Sequence, residues 1–117
     1  MPRILVVDDE PLISMLVENW LTELGCEVVG PARSVQDGLA LVGSDDLDGA
    51  ILDINLGQQN SYLVADALRQ RGVPFAFATG DSGPDAGSGF NDPILLQKPF
   101  DFEGVKAVLG KLLAPPG

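Results

Sequence analysis

Five short apolar runs punctuate the chain: ILVV at 4–7, EVVG at 27–30, GAILDI at 49–54, PFAFAT at 74–79 and PILLQ at 93–97. Between them lie segments of helical period. This alternation constrains the fold more than any other feature, because parallel neighbours in a sheet need crossover connections, and those are right-handed. The runs are apolar and rich in β-branched residues, as suits strands covered on both faces. The expectation is an α/β fold, with a five-stranded parallel sheet and helices on both sides. At 117 residues there is room for one such domain, 1–117.

The helical segments carry their own start and stop signals. LISMLVENWLTEL at 12–24 places Leu12, Met15, Leu16, Trp20, Leu21 and Leu24 on one stripe, opened by Glu10 and Pro11 and closed by Gly25. Ser34, with Asp37 three residues on, predicts a capped helix over 35–42. Ser61 can cap SYLVADALRQRG, which ends at Gly72 before Pro74. Asp101 caps FEGVKAVLGKLL, and APPG is a frayed tail. The exception is 80–92, with four glycines in thirteen positions and no amphipathic period. A fourth helix is due there by alternation, but the composition predicts a loop or one weak turn.

Charge and composition exclude several functions. Seventeen acidic residues against seven basic ones, a formal charge of -10, disfavour nucleic acid and anionic membranes as partners. With no histidine, imidazole catalysis is absent and any phosphohistidine must come from a partner. The lone Cys26 allows no internal disulfide. No apolar run approaches ~18 residues, and Asp8 and Asp9 cut short the first one, against a secretory signal. A cytoplasmic location is expected.

The residues that end the strands matter most. Asp8 and Asp9 follow the first run, Asp53 ends the third, Thr79 the fourth, and Lys98 with Pro99 follows the fifth. In an open parallel sheet these ends converge on one edge, where ligands bind. Each residue has an ordinary reading: helix caps for Asp8, Asp9 and Glu10, a loop carboxylate for Asp53, a β-branched strand end for Thr79, a solvated charge for Lys98. Their order after successive strands favours a joint role. Three crowded carboxylates repel one another unless a cation shares the site. Hard oxygen donors without histidine or thiolate suit magnesium, with manganese as the alternative. Carboxylate, metal, lysine and hydroxyl together can accept a phosphoryl group, with Asp53 as nucleophile and Gly80 leaving the approach open.

ILVVDDEP, AILDINLG, FATG and LLQKPF, with 44, 26 and 19 residues between Asp9, Asp53, Thr79 and Lys98, resemble the receiver domain of two-component response regulators over essentially the whole chain. The resemblance implies a flavodoxin-like, doubly wound sheet of order 2-1-3-4-5 and makes Asp53 the phosphoacceptor. It implies Asp9 as direct magnesium ligand with Asp53, Asp8 as an outer-shell one, the Asn55 backbone carbonyl as a further ligand, and a cis bond before Pro99. Thr79, Lys98 and Gly80 become the phosphoryl-binding and switch residues, while Asn55 and Asp81 tune the phosphoryl lifetime. Two departures stand out. Leu95 occupies the usual aromatic switch position, and the stretch from Thr79 to Lys98 is about one helical turn short. PFAFATG with this loop resembles a subgroup of stand-alone bacterial receivers bearing an FATG motif, and residues 80–92 are expected to order on phosphorylation.

The reading is a single-domain regulator that takes phosphoryl from a histidine kinase or histidine phosphotransfer protein. It would act on an unidentified downstream protein or serve as a phosphorelay intermediate or phosphate sink, and it is no enzyme beyond its own phosphorylation and slow dephosphorylation. Its rivals are a receiver excised from a larger hybrid kinase or regulator, a phosphorylation-independent adaptor, and an aspartyl-nucleophile phosphohydrolase. The last normally needs an aspartate where Asn55 stands.

Overall fold

The computed structural model describes residues 1–44, 46–80, 83–84, 89–90, 93–99 and 101–114. Strand β1 (Arg3–Val7) leads to helix α1 (Pro11–Glu23), then β2 (Glu27–Ala32), α2 (Val35–Ser44) and β3 (Gly49–Asp53). A two-strand ribbon, β4 (Asn55–Leu56) and β5 (Gln59–Asn60), precedes α3 (Tyr62–Gln70), β6 (Phe75–Thr79), β7 (Ile94–Gln97) and α4 (Phe102–Leu112). The main sheet is wholly parallel, in the order β2-β1-β3-β6-β7. With the ribbon set aside, this is the expected 2-1-3-4-5.

Alternation along the strands builds two cores. Leu5, Val7, Leu52 and Phe77 face α2 and α3, while Ile4, Val6, Ile51, Ala76 and Ala78 face α1 and α4. All nine are buried. Two caps form as read: Ser34 Oγ accepts from Asp37 N at 3.1 Å, and Asp101 Oδ1 accepts from Gly104 N at 2.9 Å. Pro11 opens α1.

Several expectations are corrected. On α1 the buried residues are Ser14, Val17 and Leu21, whereas Leu12, Met15 and Leu16 are 72%, 49% and 41% exposed. The stripe read from sequence is therefore rotated. Apolar residues lie around most of this helix, and the choice of face falls to the side packed on the sheet and α4, where small Ser14 is folded back onto Pro11 O at 3.1 Å. Ser61 makes no side-chain cap. Asn60 Oδ1 takes the Tyr62 amide at 3.1 Å instead, and Ser61 Oγ is buried with no hydrogen-bond partner among the described residues.

Strand β2 runs on to Ala32 through a cis Gly30–Pro31 bond, with a register shift in its pairing to β1. At Gly30, φ is +96°, and a Cβ there would stand 2.7 Å from Ala32 N and 3.0 Å from Val6 O. Only glycine fits this bend. Between β6 and β7, none of the described residues is helical. Asp81 and most of the 80–92 stretch expected to order on phosphorylation lie outside the described residues, as does the tail from Pro115.

Candidate phosphoacceptor site

Parallel pairing brings the strand ends together. Asp53 sits beside Ala78, Thr79 beside Gln97, and Lys98 N donates to Thr79 O at 2.8 Å. Asp8 N donates to Ala32 O at 2.9 Å, which fixes the exit of β1 at the same edge. Asp53 is 4% exposed. Its Oδ2 accepts from Lys98 Nζ at 3.0 Å and its Oδ1 from Asn55 N at 3.1 Å. Both oxygens of a buried carboxylate are thus engaged, one by a charge and one by backbone, which offsets its desolvation.

Asp8 is buried too, and Glu10 N donates to its Oδ1 at 2.8 Å. Burial pushes the Asp8 carboxyl up to about 6, and the charges of Asp53 and Glu10 push the same way, against that hydrogen bond and Lys98. For Lys98, burial pulls downward, but the hydrogen bond and charge of Asp53, with Asp8 and Glu10, outweigh it and leave the ammonium raised. Lys98 is the fixed cation of the pocket.

Ligand oxygens of Asp8, Asp9, Glu10 and Asp53 all lie within 4.8 Å of one another. This donor set is all oxygen, and repulsion within it adds to the burial that raises Asp8, so it fits a hard divalent cation such as magnesium. Asp9 is exposed while Asp8 and Asp53 are buried, so a cation would enter from the Asp9 side. Thr79 is buried at the end of β6, and Gly80, exposed, would bring nothing within 4 Å of an added Cβ. The Lys98–Pro99 bond is cis.

Some features were not singled out from sequence. Glu10, read there as a helix opener, belongs to the acidic cluster, and its Oε1 lies 3.8 Å from Lys98 Nζ. The third acid of DDE, held back from the helix by Pro11, was the available signal. The β4–β5 ribbon lies beside the pocket, since a Cβ on Gly57 would be 3.8 Å from Asp9 Oδ2. Leu95 stands outside the pocket. It pairs with Phe77 and is half-buried against the core on the α2–α3 side, where Phe77, Phe75, Phe90 and Tyr62 pack ring to ring at 5.3–6.0 Å.

A doubly wound parallel sheet with an acidic cluster, a lysine and a hydroxyl at its carboxyl edge defines a receiver-type fold. The chain belongs to the response regulator receiver domain family, whose model matches residues 4–109. It is similar to SdrG from Sphingomonas melonis Fr1, whose solution structure superposes with a TM-score of 0.84 at 44% identity, covering 97% of this chain and 98% of that one. TrrA from Thermotoga maritima, solved in complex with Mg2+ and BeF, superposes at 0.82 with 33% identity over 97% and 100% of the two chains. The Phyllosphere-induced regulator PhyR of Methylorubrum extorquens is 34% identical over 95% of this chain but 43% of its own length. The chain spans half or less of the curated relatives it matches. Among the described residues, no helix is long and apolar enough to cross a membrane.

Proposed function

We propose that the chain accepts a phosphoryl group on Asp53 from a phosphohistidine of a histidine kinase or phosphotransfer protein, and signals through protein contact. The observation that carries this reading is Asp53 itself: a buried carboxylate at a sheet edge, held by Lys98 and the Asn55 amide among three further acids. An Asp53 oxygen attacks phosphorus as the phosphorus–nitrogen bond breaks, and the leaving imidazole takes up a proton. Lys98 offsets charge on the phosphoryl oxygens, and the Thr79 hydroxyl donates to one of them. A magnesium or manganese ion held by Asp9, Asp53 and the Asn55 carbonyl, with Asp8 in the outer shell, would supply charge neutralisation at the same oxygens. Asn55 and Asp81 tune the lifetime of the acyl phosphate. The protein is not otherwise an enzyme.

The α1 ridge supports a protein donor. Leu12, Met15 and Leu16 are exposed, and Leu16 lines, with Ile13, Trp20, Lys98 and Pro99, a cavity of about 400 Å3 beside the pocket. An apolar surface next to Lys98 suits a docked phosphohistidine protein better than a free small molecule. With an intact acidic cluster and Lys98, a phosphorylation-independent adaptor leaves these residues unexplained, and Asn55 stands where an aspartyl phosphohydrolase needs its second acid. A cytoplasmic site of action accords with a histidine kinase donor.

The length of the curated relatives favours a second reading, in which the chain is the receiver portion of a longer regulator; the full reading frame decides between them. Phosphorylation itself is tested by phosphate-affinity electrophoresis after incubation with acetyl phosphate and magnesium. A shift in wild type that is lost in Asp53→Ala is expected. A shift retained in the variant, or absent from wild type, would sink the assignment.

A further inference from the structure

We propose that a groove at the amino-terminal end of β6 binds a protein segment in which apolar side chains are flanked by carboxylates. Two cavities, of about 420 and 460 Å3, meet there and share Arg69, Pro74 and Phe75 as walls. One continues past Phe90 and Ile94, the other past Val73 and Leu112 to Lys111. Pro74 and Phe75 begin the strand that Thr79 ends, so the groove lies at the opposite pole of the sheet from the carboxylate pocket. Each volume is in the range that takes ligand-sized groups.

Helices cover the other crossovers of the main sheet; between β6 and β7, where none of the described residues is helical, Phe90 packs onto Phe75 and Phe77 at 5.9 and 5.3 Å. Arg69 fixes that arrangement. Its guanidinium lies 4.8 Å from the Phe90 ring centroid, donates to Gly89 O at 3.0 Å and pairs with Asp66 at 2.6 Å.

Charge points to the occupant. In a chain with 17 acidic and seven basic residues, the described residues that line the two cavities include Arg69 and Lys111 and no carboxylate. Arg71, exposed, follows at the carboxyl end of α3. Part of the Arg69 charge is offset by Asp66, but Lys111 and Arg71 have no ion pair among the described residues. Helix-dipole complementarity accounts for basic residues in the last turns of α3 and α4. It does not account for their meeting over an apolar floor of Pro74, Phe75, Phe90 and Ile94. A molecule of charge -10 repels acidic partners everywhere except where the sign reverses locally, which makes such a patch selective.

The probe is a fluorescein-labelled ten-residue peptide with two Phe-Leu pairs set among glutamates, titrated into the intact chain by fluorescence anisotropy. A counterpart with lysines replacing the glutamates is the charge control. Saturable binding of the glutamate peptide is expected, weakened about fivefold by Lys111→Glu and less than about twofold by Lys106→Glu, an exposed α4 position that lines neither cavity. Amide shifts should appear at Val73, Phe75 and Ile94 and not at Asp53. No saturable binding, equal losses in the two variants, or tighter binding of the lysine peptide would overturn the proposal. So would a wild-type dimer in sedimentation that Lys111→Glu dissociates, since that would give the groove to a second copy. Urea midpoints matching wild type establish that both variants fold. The test uses neither Asp53 nor a phosphodonor, so its outcome is separate from that of the phosphoryl assignment.

Discussion

Asp8 shows how the pocket stores an unfavourable interaction. Its folded carboxyl titrates near 6 against 3.8 ordinarily, chiefly because it is buried. The folded state therefore keeps a proton that the unfolded chain has lost, so this group's contribution to stability is full below pH 3.8 and is lost as pH rises through 6. Over that window the loss is about 3 kcal/mol, at about 1.4 kcal/mol per unit. Without divalent cations, Asp8→Asn should be more stable than wild type by about 3 kcal/mol at pH 7 and by about half that at pH 5. Urea unfolding at the two pH values checks this, and a pH-independent gap would contradict it. Because a cation needs the ionised carboxylate, magnesium affinity should also weaken as pH falls below 6, by up to tenfold per unit. Isothermal titration between pH 5 and 7 measures it.

At the scale of elements, reading from sequence worked where a local rule is decisive. Asp101 and Ser34 cap their helices because a side-chain oxygen three residues before an amide needs no tertiary help. The phase of α1 was not legible, since the eight apolar residues of 12–24 lie around most of the helix and admit more than one stripe, and packing on β1 and α4 selects Ser14, Val17 and Leu21. Ser61 failed as a cap because its backbone, at φ -91° and ψ 12°, is not in the extended conformation that aims a cap side chain at the second or third helical amide. Two-residue strands such as β4 and β5 are too short to show any period. The bend at Gly30 was hidden as well, since GP in a strand reads as an ordinary end. It gives a sharp comparison. Gly25 and Gly30 both have positive φ, but an added Cβ meets nothing within 4 Å at Gly25 and backbone at 2.7 Å at Gly30. Gly25→Ala should cost about 1 kcal/mol and Gly30→Ala about 3 kcal/mol or more, read from urea midpoints. Equal losses would contradict the bend's steric origin.

For the whole molecule, the alternation of strands and helices determines that Asp8, Asp9, Asp53, Thr79 and Lys98, spread over 91 positions of sequence, meet at one edge. That convergence was legible because parallel topology fixes which strand ends adjoin. Glu10 was less so, since its place in the cluster depends on how the chain turns into α1. The same edge concentrates negative charge in a molecule already at -10. Sodium chloride screens the general repulsion, but magnesium should act at the cluster. At ten times its dissociation constant, magnesium should add about 1.4 kcal/mol and raise Tm by about 5 °C over sodium chloride at matched ionic strength. Asp9→Asn should remove most of that difference in thermal unfolding.

The central claim is that Asp53 is the residue that takes the phosphoryl group. Borohydride reduces an aspartyl phosphate to homoserine, which marks the acceptor covalently, so the decisive measurement is peptide mass spectrometry after phosphorylation with acetyl phosphate and magnesium followed by borohydride. Homoserine at position 53, and at no other aspartate, is the predicted result. Homoserine at Asp8 or Asp9, or an unmodified Asp53 in protein that has taken up phosphate, would contradict it.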